Sequence, residues 1–285
     1  MAKVIFSHLR KLLVCTDGSP ASEGAVNAGV QLGILTEAKI CLLRVINIPL
    51  DYESIPVIPQ LLPALEEQAQ NRLRKYQEEA AATGVSLEGV VRNSISVPYG
   101  ILDEAGARKP DWIIMGRKGL SGIGRLLMGS VTIRVIGSSP CHVLVVPREA
   151  KLRFKKILIA HDGSVFGEGA WRQTIMLAKR AGSEVIAVSV ARDESLKLEC
   201  QMLLQHLEAS AARHNIRLQP LLPQGRPFEQ IIQSAQDEKV DLIVLGSHGR
   251  SGLARLFMGS VAERVIGTVK CPVLVTKIQE AEAAI

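Results

Sequence analysis

Residues 11–19 read KLLVCTDGS, and residues 156–164 read KILIAHDGS. Further on, GRKGLSGIGRLLMGSVTIRVIG at 116–137 returns as GSHGRSGLARLFMGSVAERVIG at 246–267. A chain that repeats two landmarks in the same order is two copies of one folding unit, which constrains its architecture more than any composition value. The 285 residues suit this reading, because one domain usually takes about 100–150 residues. The seam falls in the basic stretch 148–155, read as a solvated linker, so the units span 1–149 and 150–285.

Within each copy, short β-branched runs alternate with longer amphipathic stretches. The strands are expected at 12–16, 40–46, 87–92, 112–115 and 142–146, then at 157–160, 184–190, 217–222, 242–245 and 272–276. Several are apolar at consecutive positions, as in strands buried on both faces. Helical patterns fill the gaps at 21–35, 64–83, 99–108 and 130–136, with counterparts in the second copy. Such alternation gives an α/β fold with a parallel sheet covered by helices on both sides. The first copy alone carries an Ile-, Leu- and Pro-rich segment at 48–63, leaving the carboxyl end of its second strand.

The fourth strand of each copy leads into G-x2-G-x9-G-[ST]: Gly116, Gly119, Gly129 and Ser130, then Gly246, Gly249, Gly259 and Ser260. The first two glycines are expected to turn the backbone with positive φ and to admit a ligand where a Cβ would block it. The Gly-Ser pair opens a helix, whose free N–H groups and positive dipole end attract an anion. Ser130 and Ser260 can cap that helix or bond a phosphate oxygen. Asp17 and Asp162 follow the first strands in Asp-Gly-Ser turns. In an open doubly wound sheet, ligands bind beyond the carboxyl ends of the strands. A carboxylate there can accept from a ribose hydroxyl, hold a divalent ion on phosphates, or cap the next helix.

Other phosphate motifs are excluded. No G-K-[ST] follows a glycine loop, and the first strand does not lead into G-x-G-x-x-G. The five cysteines lie far apart, without a C-x-x-C, and read as reduced core residues of a cytoplasmic protein. Apolar runs such as 242–245 fall far short of the ~18 residues of a membrane span, so no membrane association is expected. The net charge of +6 is spread over both copies, and aromatics make up 4% of the chain, so nucleic acid is not the expected partner.

With the Asp after strand one, the glycine pattern after strand four and closing runs at 141–146 and 271–275, the chain resembles the universal stress protein family over nearly its whole length. The resemblance implies two tandem doubly wound, Rossmann-like domains, each a five-stranded parallel sheet of order 3-2-1-4-5. It also implies that the two domains pair within the molecule through their last strands, and a homodimer is a further candidate assembly. In this family the glycine pattern marks members that bind ATP or AMP, with Mg a candidate companion.

By the same resemblance, Asp17 and Asp162 face the adenosine, and the backbones of Val45 and Val190 touch the adenine. Gly116, Gly119, Gly129, Ser130 and Val131, with Gly246, Gly249, Gly259, Ser260 and Val261, surround the ribose and phosphates. The expected function is that of an adenine-nucleotide-binding stress or regulatory protein. The alternative is a slow ATPase or phosphoryl-transfer enzyme. Each crevice offers a single carboxylate, without the Walker lysine or arranged nucleophile that phosphoryl chemistry recruits. The two loops differ, since Arg117-Lys118 of the first stand where the second has Ser247-His248, an extra cation that either favours phosphate charge or sits in solvent, so two sites of unequal affinity are expected. Arg125 and Arg255, before the last glycine of each loop, either reach phosphate or are solvated.

Overall fold

The computed structural model describes residues 6, 9–50, 58–118, 128–249 and 258–277. In the first half, β1 (Lys11–Cys15), β2 (Lys39–Asn47), β3 (Leu87–Ser94), β4 (Trp112–Gly116) and β5 (His142–Val146) alternate with α1 (Glu23–Thr36), α2 (Ile58–Ala81), α3 (Val97–Arg108) and α4 (Ser130–Ser138). The second half repeats this order with β6 (Lys156–Ala160), β7 (Glu184–Val188), β8 (Leu218–Leu221), β9 (Leu242–Gly246) and β10 (Val273–Thr276). Its helices are α5 (Val165–Ala181), α6 (Lys197–Arg213), α7 (Pro227–Asp237) and α8 (Ser260–Thr268).

The strands form one 10-stranded sheet of order β3-β2-β1-β4-β5-β10-β9-β6-β7-β8. Each half therefore has the order 3-2-1-4-5, parallel throughout. The halves meet where β5 and β10 pair antiparallel, with Leu144 opposite Leu274. This join removes two strand edges that would otherwise present unpaired N–H and C=O groups.

Alternation along each strand divides the core into two layers. Leu12 and Val14 face one side of the sheet with α1, α2, α5 and α6, and Leu13 and Cys15 face the other with α3, α4, α7 and α8. Both layers run through the two halves, since Leu144 and Leu274 lie in the first and Val143 and Val275 in the second. Across the seam, Arg117 Nη1 donates to the carbonyls of Val269 (2.9 Å) and Gly267 (3.2 Å) at the end of α8. In return, Lys277 Nζ donates to the Gly137 carbonyl near the end of α4 at 3.0 Å, and its N–H to His142 Nδ1 at 3.0 Å. Burial pushes the Lys277 amine down to about 8.

Two expectations are corrected. The stretch 148–155 is not simply solvated, because Leu152 and Phe154 are buried in the first layer and the Phe154 ring meets Phe6 edge-on at 4.7 Å. Its charged residues hid this apolar alternation. The helix expected at 64–83 also starts earlier, within the segment 48–63. Residues 51–57 lie outside the described residues, but α2 begins at Ile58 and carries Pro63 within it.

Candidate functional site

The second half is the clearer of the two. At the end of β6, Gly163 adopts φ +80°, a conformation glycine permits without a Cβ clash, and the chain turns into α5. Asp162 Oδ1 accepts from Ser164 N at 3.0 Å, and Ser164 Oγ caps α5 by accepting from Gly167 N at 3.1 Å. His161, buried, accepts from Gly163 N at Nδ1 (2.9 Å), which leaves the proton of a neutral ring on Nε2, 3.2 Å from Glu168 Oε1. Burial holds the imidazole below its ordinary range, against the opposing pull of Glu168 and Asp162.

Beside this turn, β9 ends in Gly246. A Cβ here would stand 2.8 Å from the Phe166 carbonyl carbon and oxygen, so this glycine seats the first turn of α5 on the sheet. Gly249 has a different neighbour, since a Cβ there would meet Asp162 Oδ2 at 2.7 Å. The loop closes where Gly259 N donates to the Ser247 carbonyl at 3.0 Å. Gly259, with φ −61° and ψ 138°, is the cap residue of α8, and Ser260 is its first residue.

These elements enclose a cavity of about 320 Å³, within the ordinary range for small-molecule sites. Asp162, Val190, Gly246, Gly249, Gly259, Ser260 and Val261, all the second-half residues expected from sequence, line it. The structure adds Ser189, Arg192, Cys200, Pro227 and Ile231, together with His161 and His248. Arg192 lies two residues beyond Val190 and was open to detection, whereas Cys200 and Ile231 reach the cavity only because α6 and α7 pack beside it. Two lining residues carry a buried polar atom without a hydrogen-bond partner among the described residues, Ser189 Oγ and His248 Nε2, whereas His161 Nε2 faces Glu168. Orphaned polar atoms are rare in native interiors, and their concentration in one cavity fits a site completed by a polar ligand.

The first half is built on the same plan with different results. Asp17 Oδ1 accepts from Ser19 N (2.9 Å) and Ser19 Oγ (2.6 Å), and Gly18 takes φ +72°. Gly116 packs against the Ala21 carbonyl, 2.8 Å from where its Cβ would be, and Gly129 N donates to the Arg117 carbonyl at 2.9 Å. Gly129 (φ −73°) caps α4 and Ser130 begins it. Val45 is buried in the second core layer and Val131 packs against it. Gly119, like Arg125 and Arg255, lies outside the described residues. Asp17 lines a separate cleft of about 250 Å³ against α2, whose walls include neither Val45, Gly116, Gly129 nor Ser130.

Three local expectations are therefore corrected. Positive φ belongs to Gly18 and Gly163 of the aspartate turns, not to Gly116, Gly246 or Gly249. Ser130 and Ser260 are not caps, because the glycines before them hold that position in extended conformation. Arg117 does not serve the first phosphate loop, since its guanidinium ties down the end of α8 in the other half.

The profile of the universal stress protein family matches residues 8–147 and 153–277. The chain belongs to the universal stress protein family. As a tandem universal stress protein it is 24% identical over 288 residues to a universal stress protein of Mycolicibacterium smegmatis, covering 93% of this chain and 96% of that one. A universal stress protein of Methanocaldococcus jannaschii is 35% identical over 146 residues, covering 46% of this chain and 86% of its own. The crystal structure of a universal stress protein from Archaeoglobus fulgidus superposes with a TM-score of 0.75 at 22% identity, covering 94% of this chain and 98% of that one. This likeness establishes the fold of the whole tandem unit. Among the described residues no helix is long and apolar enough to cross a membrane.

Proposed function

We propose that this universal stress protein binds an adenine nucleotide, ATP or AMP, in the cavity of its second half and acts as a regulatory protein rather than a dedicated enzyme. The observation that carries the reading is the convergence of Asp162, Val190 and the complete second glycine motif on that one cavity. The N-terminus of α8, opened by Gly259 and Ser260, supplies unpaired N–H groups and a positive dipole end for the phosphates. Each charge-assisted bond of this kind is worth about 1.5–3 kcal/mol, so a few of them suffice for micromolar affinity.

Asp162 is assigned to the ribose hydroxyls, with Oδ1 kept in place by Ser164. Val190 and the apolar wall of Pro227 and Ile231 are assigned to the base. A bound nucleotide supplies phosphates and a purine edge that answer the Ser189 and His248 atoms without partners among the described residues. Asp17, Val45, Gly116, Gly119, Gly129, Ser130 and Val131 are assigned to a second, weaker site in the first half. The halves divide at residues 149 and 150, and five free cysteines suit a reducing, cytoplasmic setting.

Calorimetric titration with ATP and AMP tests the reading on the full chain. Saturable binding is expected, reduced in a Gly259→Val variant and abolished in a Gly129→Val, Gly259→Val double variant. A folded double variant that binds as tightly as the parent overturns the assignment.

A further inference from the structure

We propose that the first half carries an oxyanion site of its own, formed by Arg44 and Arg72 in the cleft between the carboxyl ends of β1 and β2 and helix α2, and that this site takes a phosphate group. The cleft is lined by Thr16, Asp17, Arg44, Gln68 and Arg72, with apolar walls that include Leu65. Its volume of about 250 Å³ leaves room for a small anion and part of whatever carries it.

Among the described residues, the fold rather than a hydrogen-bonded acid places the two arginines. Arg72 lies across the aspartate turn, its Cδ 3.2 Å and its Cζ 3.7 Å from where a Gly18 Cβ would be. Arg44, on β2, is half-buried, and neither guanidinium forms a hydrogen bond or ion pair among the described residues. Burial lowers the tendency of Arg44 to hold its charge, Asp17 opposes this, and the Arg72 charge adds to the lowering. Among the described residues Asp17 is the one carboxylate lining the cleft, and its Oδ1 already accepts two bonds from Ser19. Among the described residues, two guanidiniums stand against one carboxylate, a partly desolvated excess of positive charge.

A bound anion removes that excess. A guanidinium presents paired N–H donors that match phosphate oxygens, so two of them on one cleft select a tetrahedral oxyanion over chloride. The second half provides an internal contrast. The register of β6 with β7 places Ser189 where β1 and β2 place Arg44, so the arginine is a feature of the first half alone. The proposal is independent of nucleotide binding at α8.

The phosphate can be free or the end of a larger phosphoester, and the experiment separates the two. The full chain, Arg72→Gln, Arg44→Gln with Arg72→Gln, and Gly259→Val are titrated calorimetrically with inorganic phosphate, against chloride at equal ionic strength, with melting temperatures recorded in parallel. Saturable phosphate binding is expected in the parent and in Gly259→Val, at least about tenfold weaker in Arg72→Gln, and lost in the double variant. Arg72 is exposed, so its single variant reports on binding even where the double variant folds poorly. Glycerol 3-phosphate binding the Gly129→Val, Gly259→Val protein more tightly than inorganic phosphate identifies an esterified ligand, and binding no more tightly identifies the free anion. Absence of saturable phosphate binding in the parent overturns the proposal. So does equal binding by the arginine variants, or loss only in Gly259→Val.

Discussion

Asp162 Oδ2 lies 2.7 Å from the point where a Cβ on Gly249 would stand. The glycine is thus required by a side chain of the aspartate turn, and the two halves of the sequence motif meet at this spot. Gly246, three residues earlier, is required by the backbone of Phe166 instead. Within one glycine pattern, both positions line the cavity, but one makes room for a carboxylate and the other for backbone.

The two glycines therefore separate under substitution. Gly249→Ala pushes a carboxylate aside and is expected to lower adenine-nucleotide affinity at least about tenfold while changing stability by under ~1 kcal/mol. Gly246→Ala drives a methyl into backbone and is expected to cost about 1–3 kcal/mol of stability. Urea denaturation and calorimetric titration of both variants check the division.

Arg117 provides a test of how the halves hold together. Its guanidinium satisfies two carbonyls at the end of α8, and burial lowers its tendency to stay charged, so its removal leaves those carbonyls without their donor. Arg117→Ala is expected to destabilise the protein by about 1–3 kcal/mol. If the residue instead served phosphate in the first loop, the loss would appear in nucleotide affinity with stability unchanged.

His161 makes stability depend on acidity. Its folded-state pKa lies below the ordinary 6.5, so on acidification the unfolded chain takes up the proton first. The contribution of the neutral ring is fully present above about 6.5 and is lost as pH falls toward the folded value. Protonation also removes the lone pair that accepts from Gly163 N. His161→Thr, which installs the first half's Thr16 at the equivalent place, is expected to flatten this loss. Denaturation curves at pH 7.5 and 5.5 supply the comparison, and an unchanged slope would count against the assignment.

Much of the fold was legible because burial leaves a periodic trace. Runs such as WIIM at 112–115 and IVL at 243–245 read as strands covered on both faces, and they are. The Asp-Gly-Ser turns and the Gly-Ser helix starts were legible for the same local reason, since each is fixed by backbone conformation within a few residues. The buried face of 148–155 was not, because Leu152 and Phe154 are interspersed with charges and find their pocket against Phe6, far away in the chain.

The sequence by itself determined that there are two copies of one α/β unit, which strands each contains, and which turns carry the aspartates and glycines. These follow from periodicity and from backbone preferences that act over a few residues. Tertiary structure alone decided that Arg117 caps a helix of the opposite half, that Gly246 makes room for the Phe166 backbone and Gly249 for the Asp162 carboxylate, and that Arg44 and Arg72 share a cleft with Asp17. A long cation can bond any carbonyl or anion within reach, and a glycine can answer any close approach. Their partners are chosen by elements distant in sequence, so chemistry identical on the page acquires different roles once the chain is folded.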